Sequence, residues 1–334
     1  MLKTYYLLTC LALAGLLSLS GCKNSGSKAG GTDANEELKG HISISGAFAL
    51  YPLTVAWAEE FKKLHPDVSI DISAGGAGKG MADVLSGMVD LAMFSREVTE
   101  EETGKGAWKV AVAKDAVFPT INAENPALKE IQAKGITKDQ FLELFTSEEH
   151  LTWNHFEGIQ STEKINVYTR SDACGAASMW ANYYGKDQED LKGIGVYGDP
   201  GIADAVKKDK YGIGYNNLIY IYDINTKKVA SGLAVIPIDV NENRTIDPEE
   251  SFYENMSNVV AAIQDGRYPA PPARNLYLIS KGKPQNDLVN RFLIYILTEG
   301  QELTTRAGYV ELDAKTMKVQ RIKMGIEQEN QADL

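Results

Sequence analysis

His41-Ile42-Ser43-Ile44-Ser45-Gly46-Ala47-Phe48-Ala49-Leu50-Tyr51-Pro52 opens the folded part of this chain and sets its architecture. Residues 41–45 alternate polar and apolar, the period of a strand with one buried face. From Pro52 the period changes, with Leu53, Ala56, Trp57, Glu60, Phe61 and Leu64 at helical intervals. Proline suits a first helical turn, where its missing N–H has no intrahelical acceptor to lose. Pro66-Asp67 ends the helix, Val68-Ser69-Ile70-Asp71-Ile72 reads as a second strand, and Gly75-Gly76-Ala77-Gly78-Lys79-Gly80 leads into a short helix through Met81, Val84, Leu85 and Met88. Residues 89–94 give a third strand with Ser95-Arg96 at its carboxyl end. Strand-helix-strand-helix-strand order predicts an α/β domain whose ligand groups share one crevice.

Further along, the apolar stretch 110–121 precedes Asn125-Pro126 and reads as a crossover. Residues 136–145 read as a helix, with Thr137 and Gln140 spaced as a capping box. A strand at 165–169 feeds Arg170-Ser171-Asp172-Ala173-Cys174-Gly175-Ala176, which enters a helix at 176–184. Short strands and turns fill 195–237, a return strand occupies 276–280, and helical spacing over 288–297 halts at Gly300 before a charged, peripheral tail. The expected organisation is a first domain of residues 40–118 plus 275–334 and a second of 119–274, joined by two hinge crossovers. At three strand-to-helix junctions, beginning at Ser45, Gly75 and Arg170, small residues leave helix-start amides open to close approach by a ligand.

The first residues carry a different message. Lys3, an apolar run from Tyr5 to Leu19 and Leu19-Ser20-Gly21-Cys22 read as an export signal over 1–21, too short for a comfortable span. The last four residues resemble the lipobox of bacterial lipoproteins, with Cys22 acylated and residues 22–39 a flexible tether to a membrane. Of the three cysteines, Cys10 would leave with the signal and Cys22 carry lipid, so Cys174 is a lone thiol and no disulfide scaffold is expected. The four histidines are scattered, and no metal site is expected. A net charge of −11 with no basic cluster argues against nucleic acid, though not against a small anion bound by local donors.

Motifs for nucleotide chemistry fail on spacing. Lys79 is followed by Gly80 rather than Ser or Thr, and Gly76-x-Gly78-x-Gly80 is not the dinucleotide fingerprint. No nucleophile-base pair can be assembled, Cys174 reads as a small residue standing where a serine could, and neither enzyme activity nor a cofactor is expected.

Taken in order, residues 44–52, 76–80, 89–96 and 170–175, continued by Trp153-Asn154, Gly212-Ile213-Gly214-Tyr215, Tyr268-Pro269, Arg274-Asn275-Leu276-Tyr277 and Gly300-Gln301, resemble the PstS-like phosphate-binding proteins of bacterial ABC importers. The resemblance implies the type II periplasmic-binding-protein fold, with a ligand closed between two α/β domains and presented to a permease. It places ligand-binding groups at Ala47, Phe48, Ala49, Ala77, Gly78, Lys79, Ser95, Arg96, Arg170, Cys174, Gly175 and Ala176. It implies a monomeric, lipid-anchored envelope protein for phosphate or a related oxyanion. Family members carry hydroxyls where this chain has Ala47, Phe48 and Ala49, a Ser-Gly-Thr-like turn at 77–79 and a Ser-Gly-Thr triplet at 174–176. Two alternatives follow from those missing hydroxyls: a larger or less charged solute on the same scaffold, or an envelope interaction protein without a transport role. Arg170 matches the family's anion-binding arginine, with pairing to Asp172 as its other reading; Arg96 and Lys79 are open to ligand contact or to salt bridging and solvation.

Overall fold

β1 (Gly40–Gly46) and α1 (Tyr51–Leu64) stand where residues 41–64 predict them, with Pro52 in the first helical turn. β2 (Val68–Ala74), α2 (Ala77–Ser86) and β3 (Leu91–Phe94) complete the expected run. These elements belong to a computed structural model that describes residues 38–156 and 158–328; the expected signal segment, Cys22 and residues 22–37 of the tether fall outside it. β1 is central, paired in parallel with β2 from Gly40↔Val68 to Gly46↔Ala74 and with β3 from Ile44↔Leu91 to Gly46↔Met93. Because parallel neighbours run the same way, the turns after all three strands gather along one edge of the sheet.

α3 (Glu100–Gly104) then leads into β4 (Ala107–Asn122), the longest strand described. α4 (Leu128–Lys134), β5 (Ile136–Thr137), α5 (Lys138–Thr146), β6 (Asn166–Arg170), α6 (Gly175–Tyr183), β7 (Ile194–Val196), α7 (Gly198–Lys208), β8 (Gly212–Asn217), β9 (Leu233–Val235), β10 (Ile238–Asp239) and α8 (Met256–Asp265) follow. The chain returns through β11 (Ala273–Lys281) to α9 (Asp287–Leu297), α10 (Glu302–Arg306) and α11 (Ala314–Met324). The described residues form one unit. Its mixed sheet is ordered β2-β1-β3-β11-β4-β8-β6-β7, with β9 also on β4, while β5 and β10 pair separately.

Two large hydrophobic cores belong to that sheet, with a smaller cluster of Ile202, Ala203, Val206 and Leu233 beside them. Ile42, Trp57, Phe61, Phe94 and Phe292 anchor the first, and Phe118, Phe141, Phe145, Trp180 and Tyr215 the second. In the second, the Trp180 ring meets Phe141, Phe145 and Tyr215 with centroids 5.3, 5.6 and 6.0 Å away, spacings at which aromatic pairs attract beyond simple burial. β4 belongs to both. It pairs antiparallel with β11 from Ala107↔Lys281 to Ala116↔Ala273, and with β8 from Val117↔Asn217 to Ile121↔Ile213. A register shift at Leu276/Tyr277 leaves Val112 without a partner across the ladder, and Gln301 Nε2 donates to the Val112 carbonyl at 3.2 Å.

The peripheral tail is a correction. Residues 314–324 form α11, capped by Asp313, whose side chain accepts from the Thr316 amide. Gln320 Oε1 accepts from the Ala111 amide at 3.1 Å, Arg321 Nε donates to the Leu297 carbonyl at 3.0 Å and Lys323 Nζ to the Lys109 carbonyl at 2.5 Å. Long polar side chains dock this helix, so apolar periodicity gives no sign of it. α4, α7 and α8 are further helices that the sequence reading left unassigned, although in α8 Met256, Val259, Val260 and Ile263 recur at helical intervals.

Candidate functional site at the meeting of the two lobes

Each lobe brings strand ends and helix starts to the same place. In the first, the amides of Gly75 and Gly76 both donate to the Gly46 carbonyl, at 2.9 and 3.0 Å, which folds the β2–α2 turn onto the end of β1. Gly76 has φ +89°, and a Cβ there would stand 2.7 Å from Asp172 Oδ2 and 2.9 Å from the Ala173 carbonyl of the other lobe. The Gly78 amide donates to that same carbonyl at 3.1 Å. From the second lobe, Gly175 lies so close to Ser95 that a Cβ would sit 2.3 Å from its carbonyl and hydroxyl oxygens. Glycine is thus required at these contacts by close approach of two backbones. The starts of α2 and α6 abut across the interface.

Of the residues expected at the ligand, Ala47, Phe48, Ala77, Gly78, Ser95, Arg170, Cys174, Gly175 and Ala176 lie along this meeting surface or in the first core layer behind it. Ala47, Ala49 and Ala77 are buried in the first core, Cys174 and Ala176 in the second. The Ala49 carbonyl accepts from the Tyr309 hydroxyl at 2.8 Å. Phe48 spans the interface: its ring touches Gly198, lies 5.5 Å from the Arg170 guanidinium and meets Tyr197 edge-on, and its carbonyl accepts from the Tyr220 hydroxyl at 3.0 Å. Two candidates engage carboxylates of their own lobe instead. Lys79 Nζ pairs with Asp83, and Arg96 forms a two-pronged pair with Glu102 at 2.6 and 2.9 Å while lying over the Phe94 ring.

Arg170 is the buried charge at the centre. Its Nε and Nη2 donate to the two Asp172 oxygens at 2.8 and 2.6 Å, and Nη1 donates to Asp199 Oδ2 at 2.5 Å. Burial opposes the charge, but the Asp199 carboxylate and then the Cys174 and Asp172 groups outweigh it, raising the Arg170 pKa above its ordinary value. Asp199 sits in the first turn of α7 and accepts at Oδ1 from Asn217 Nδ2 at 2.6 Å, where the helix start also favours negative charge. Asn217 Oδ1 in turn accepts from Arg274 Nη2, and Arg274 Nε donates to the Ser95 carbonyl at 3.2 Å. Arg274 Nη1 lies 3.5 Å from Asp115 Oδ2, and burial, opposed chiefly by Arg274, raises the Asp115 carboxyl to about 6. Two guanidinium groups therefore face three carboxylates in one network that ties the lobes together.

Cys174 caps α6, its Sγ accepting from the Ala177 amide at 3.4 Å. Burial pushes its thiol up to about 12, against the pull of Arg170, so the thiolate is scarce at neutral pH. Outward from this contact a cleft of about 450 Å³ opens between the lobes, lined by Gly78, Arg96 and Val98 on one side and Ala173, Met179 and Gln188 on the other.

Asp199 and Asp115 were not anticipated by the sequence reading, although each left a sign. Asp115, beside Lys114, breaks the largely apolar run 110–121 of β4, and Gly198-Asp199-Pro200-Gly201 combines an early proline with an acidic first turn, the marks of a helix start.

A family model described as a PBP superfamily domain matches residues 31–299. The phosphate-binding protein PstS of Staphylococcus haemolyticus is 25% identical over 323 residues, covering 95% of this chain and 95% of the relative. PstS of Staphylococcus aureus is 25% identical over 325 residues, covering 96% of this chain and 91% of its own length. Among solved structures, a Clostridium perfringens protein with bound phosphate matches with a TM-score of 0.66 and 23% identity over 82% of this chain and all of that one. An ABC-type phosphate transport receptor from Vibrio cholerae matches with a TM-score of 0.60 and 18% identity over 81% of this chain and all of its own. The resemblance read from the ordered motifs thus extends over nearly the full length.

Proposed function

Because the chain belongs to the PBP superfamily, we propose that it is the extracytoplasmic solute-binding component of an ABC importer, taking phosphate or a related oxyanion between its lobes. The observation that carries this reading is the abutment of two helix starts beside a buried arginine. The amides of Ala77, Gly175 and Ala176 lie in first helical turns, where no intrahelical acceptor exists, and all three residues are buried. Helix N-termini and a guanidinium facing one another favour an anion. The PstS relatives supply the ligand class. In this reading Cys22 carries lipid, the protein stands as a monomer on the outer face of a bacterial membrane, and closure presents it to a permease.

A second reading is favoured by the state of Arg170, whose donors already meet the carboxylates of Asp172 and Asp199. Here the protein's own anions occupy the place of the ligand, phosphate is a poor fit, and a larger or less charged solute uses the outer cleft. The same filled contact suits an envelope protein that closes without solute. Each hydroxyl absent from the anion shell removes about 1.5–3 kcal/mol of charged hydrogen bonding, so three together lower affinity by several powers of ten. Calorimetric titration of phosphate into protein stripped of ligand separates the readings. Saturable heat supports the oxyanion; no heat at millimolar phosphate, with a different solute released on denaturation and identified by mass spectrometry, supports the second.

A further inference from the structure

The second lobe also carries a twelve-residue loop: Asp239-Val240-Asn241-Glu242-Asn243-Arg244-Thr245-Ile246-Asp247-Pro248-Glu249-Glu250. Oxygen-bearing side chains stand at positions 1, 3, 5, 9 and 12, an isoleucine at position 8 and glutamate at the end. That is the spacing with which a single loop wraps calcium, position 7 contributing its carbonyl and position 12 both carboxylate oxygens. One residue departs from the pattern. Position 6, where glycine makes the sharp turn, is Arg244, and it adopts φ +65°, the left-handed conformation that glycine would supply.

Burial of charge is an independent sign. Asp239 is fully buried and Glu250 is 7% exposed, yet the groups that meet them are neutral. The Asn243 and Arg244 amides donate to Asp239 at 3.2 and 2.9 Å, and the Val240 and Asp247 amides to Glu250 at 2.8 and 3.3 Å. Asp247 accepts from the Asn241 and Asn243 side-chain amides, both at 2.8 Å. The Arg244 guanidinium donates to Gln140. Two buried carboxylates, Asp239 and Glu250, thus share one loop with the partly exposed Asp247 and are met there by neutral amide donors, and charge buried in this way favours a cation.

The geometry points to a structural calcium site formed by Asp239, Asn241, Asn243, the Thr245 carbonyl, Asp247 and Glu250. This site is independent of the ligand between the lobes. Among the described residues no three His, Cys, Asp or Glu side chains chelate by themselves, so the asparagine oxygens and the main-chain carbonyl are essential, and the loop contracts around the ion. The expectation of no metal rested on cysteine and histidine; this set is all oxygen, which selects a hard cation. The loop is fastened to β5 at its start and to α4 further along. Asp239 continues β10, which pairs with Ile136 and Thr137, and the Ile246 amide donates to the Ala133 carbonyl at 3.1 Å. Calcium would therefore brace the β5–β10 pair and the α4–α5 junction.

The test uses the purified chain, treated with chelator and dialysed, with calcium chloride as the probe. Calorimetry is expected to give one saturable site with Kd of about 0.1–1 mM, the range of extracellular calcium modules. Thermal unfolding shifts upward in calcium and less in equimolar magnesium, whose rigid octahedral demand this loop does not meet. Asp247→Asn and Glu250→Gln keep the loop's hydrogen-bonding oxygens and are each expected to weaken calcium binding about tenfold or more, with circular dichroism confirming a folded apo protein. Absence of heat and of any calcium-dependent unfolding shift in the folded parent overturns the site, as does unchanged calcium affinity in a folded Glu250→Gln.

Discussion

Arg170 shows how a buried charge is held inside one lobe. Its charge is held by Asp172 and Asp199, and Ala176 and Cys174 beside it lack the hydroxyls that would let an incoming anion compete. Restoring them tests that balance: Cys174→Ser combined with Ala176→Thr is expected to tighten phosphate binding by one to several powers of ten, read by calorimetry. Cys174→Ser also keeps the cap on α6, because a hydroxyl accepts from the Ala177 amide as the thiol does. A second residue-scale prediction concerns Asp115, raised to about 6 by burial. Its unfolded carboxyl titrates near 4, so the native state holds the proton more tightly. The stabilisation is full below about pH 4 and lost as pH rises through about 6. Asp115→Asn, which cannot ionise, is expected to flatten the melting temperature between pH 4.5 and 7 by a few degrees relative to the parent. An unchanged slope would assign it to other groups.

At the scale of elements, the sequence was most legible where local chemistry decides structure. The alternation at 41–45, Pro52 in the first turn of α1 and the Thr137–Gln140 capping box all reappear, the last with both reciprocal bonds formed. Legibility fell where structure is made by distant partners. Gly198-Asp199-Pro200-Gly201 carries local marks of a helix start, but the part Asp199 plays depends on its docking onto Asn217 and Arg170, far along the chain. α11 is amphipathic in hydrogen bonding rather than in hydrophobicity, so its contacts with Lys109, Ala111 and Leu297 left no period to read. Gln320→Ala removes the acceptor from the part-buried Ala111 amide. The expected cost is about 1–3 kcal/mol, measured by denaturant unfolding, against almost none for the exposed Val319→Ala.

For the whole molecule, what the chain shares with its solved neighbours is architecture. The motifs named the residues without showing which of them meet, because Gly78 against Ala173 and Gly175 against Ser95 are contacts between segments about eighty or more residues apart. Gly175→Ala places a methyl where Ser95 stands at 2.3 Å. The lobes must separate to admit it, and small-angle scattering is expected to show a larger radius of gyration than the parent, with the secondary structure retained. An unchanged radius would mean that Ser95 yields instead.

β4 has a consequence of another kind. Where two cores are joined only by linkers, one half can in principle unfold while the other stands. Here Ala116 and Val117 are adjacent residues of one strand, the first laddered to β11 and the second to β8. Melting either core frays the strand that completes the other, so the two should come apart together. Calorimetry is expected to record one transition, and neither half expressed alone should give a stable protein: a molecule with two interiors that denatures as one.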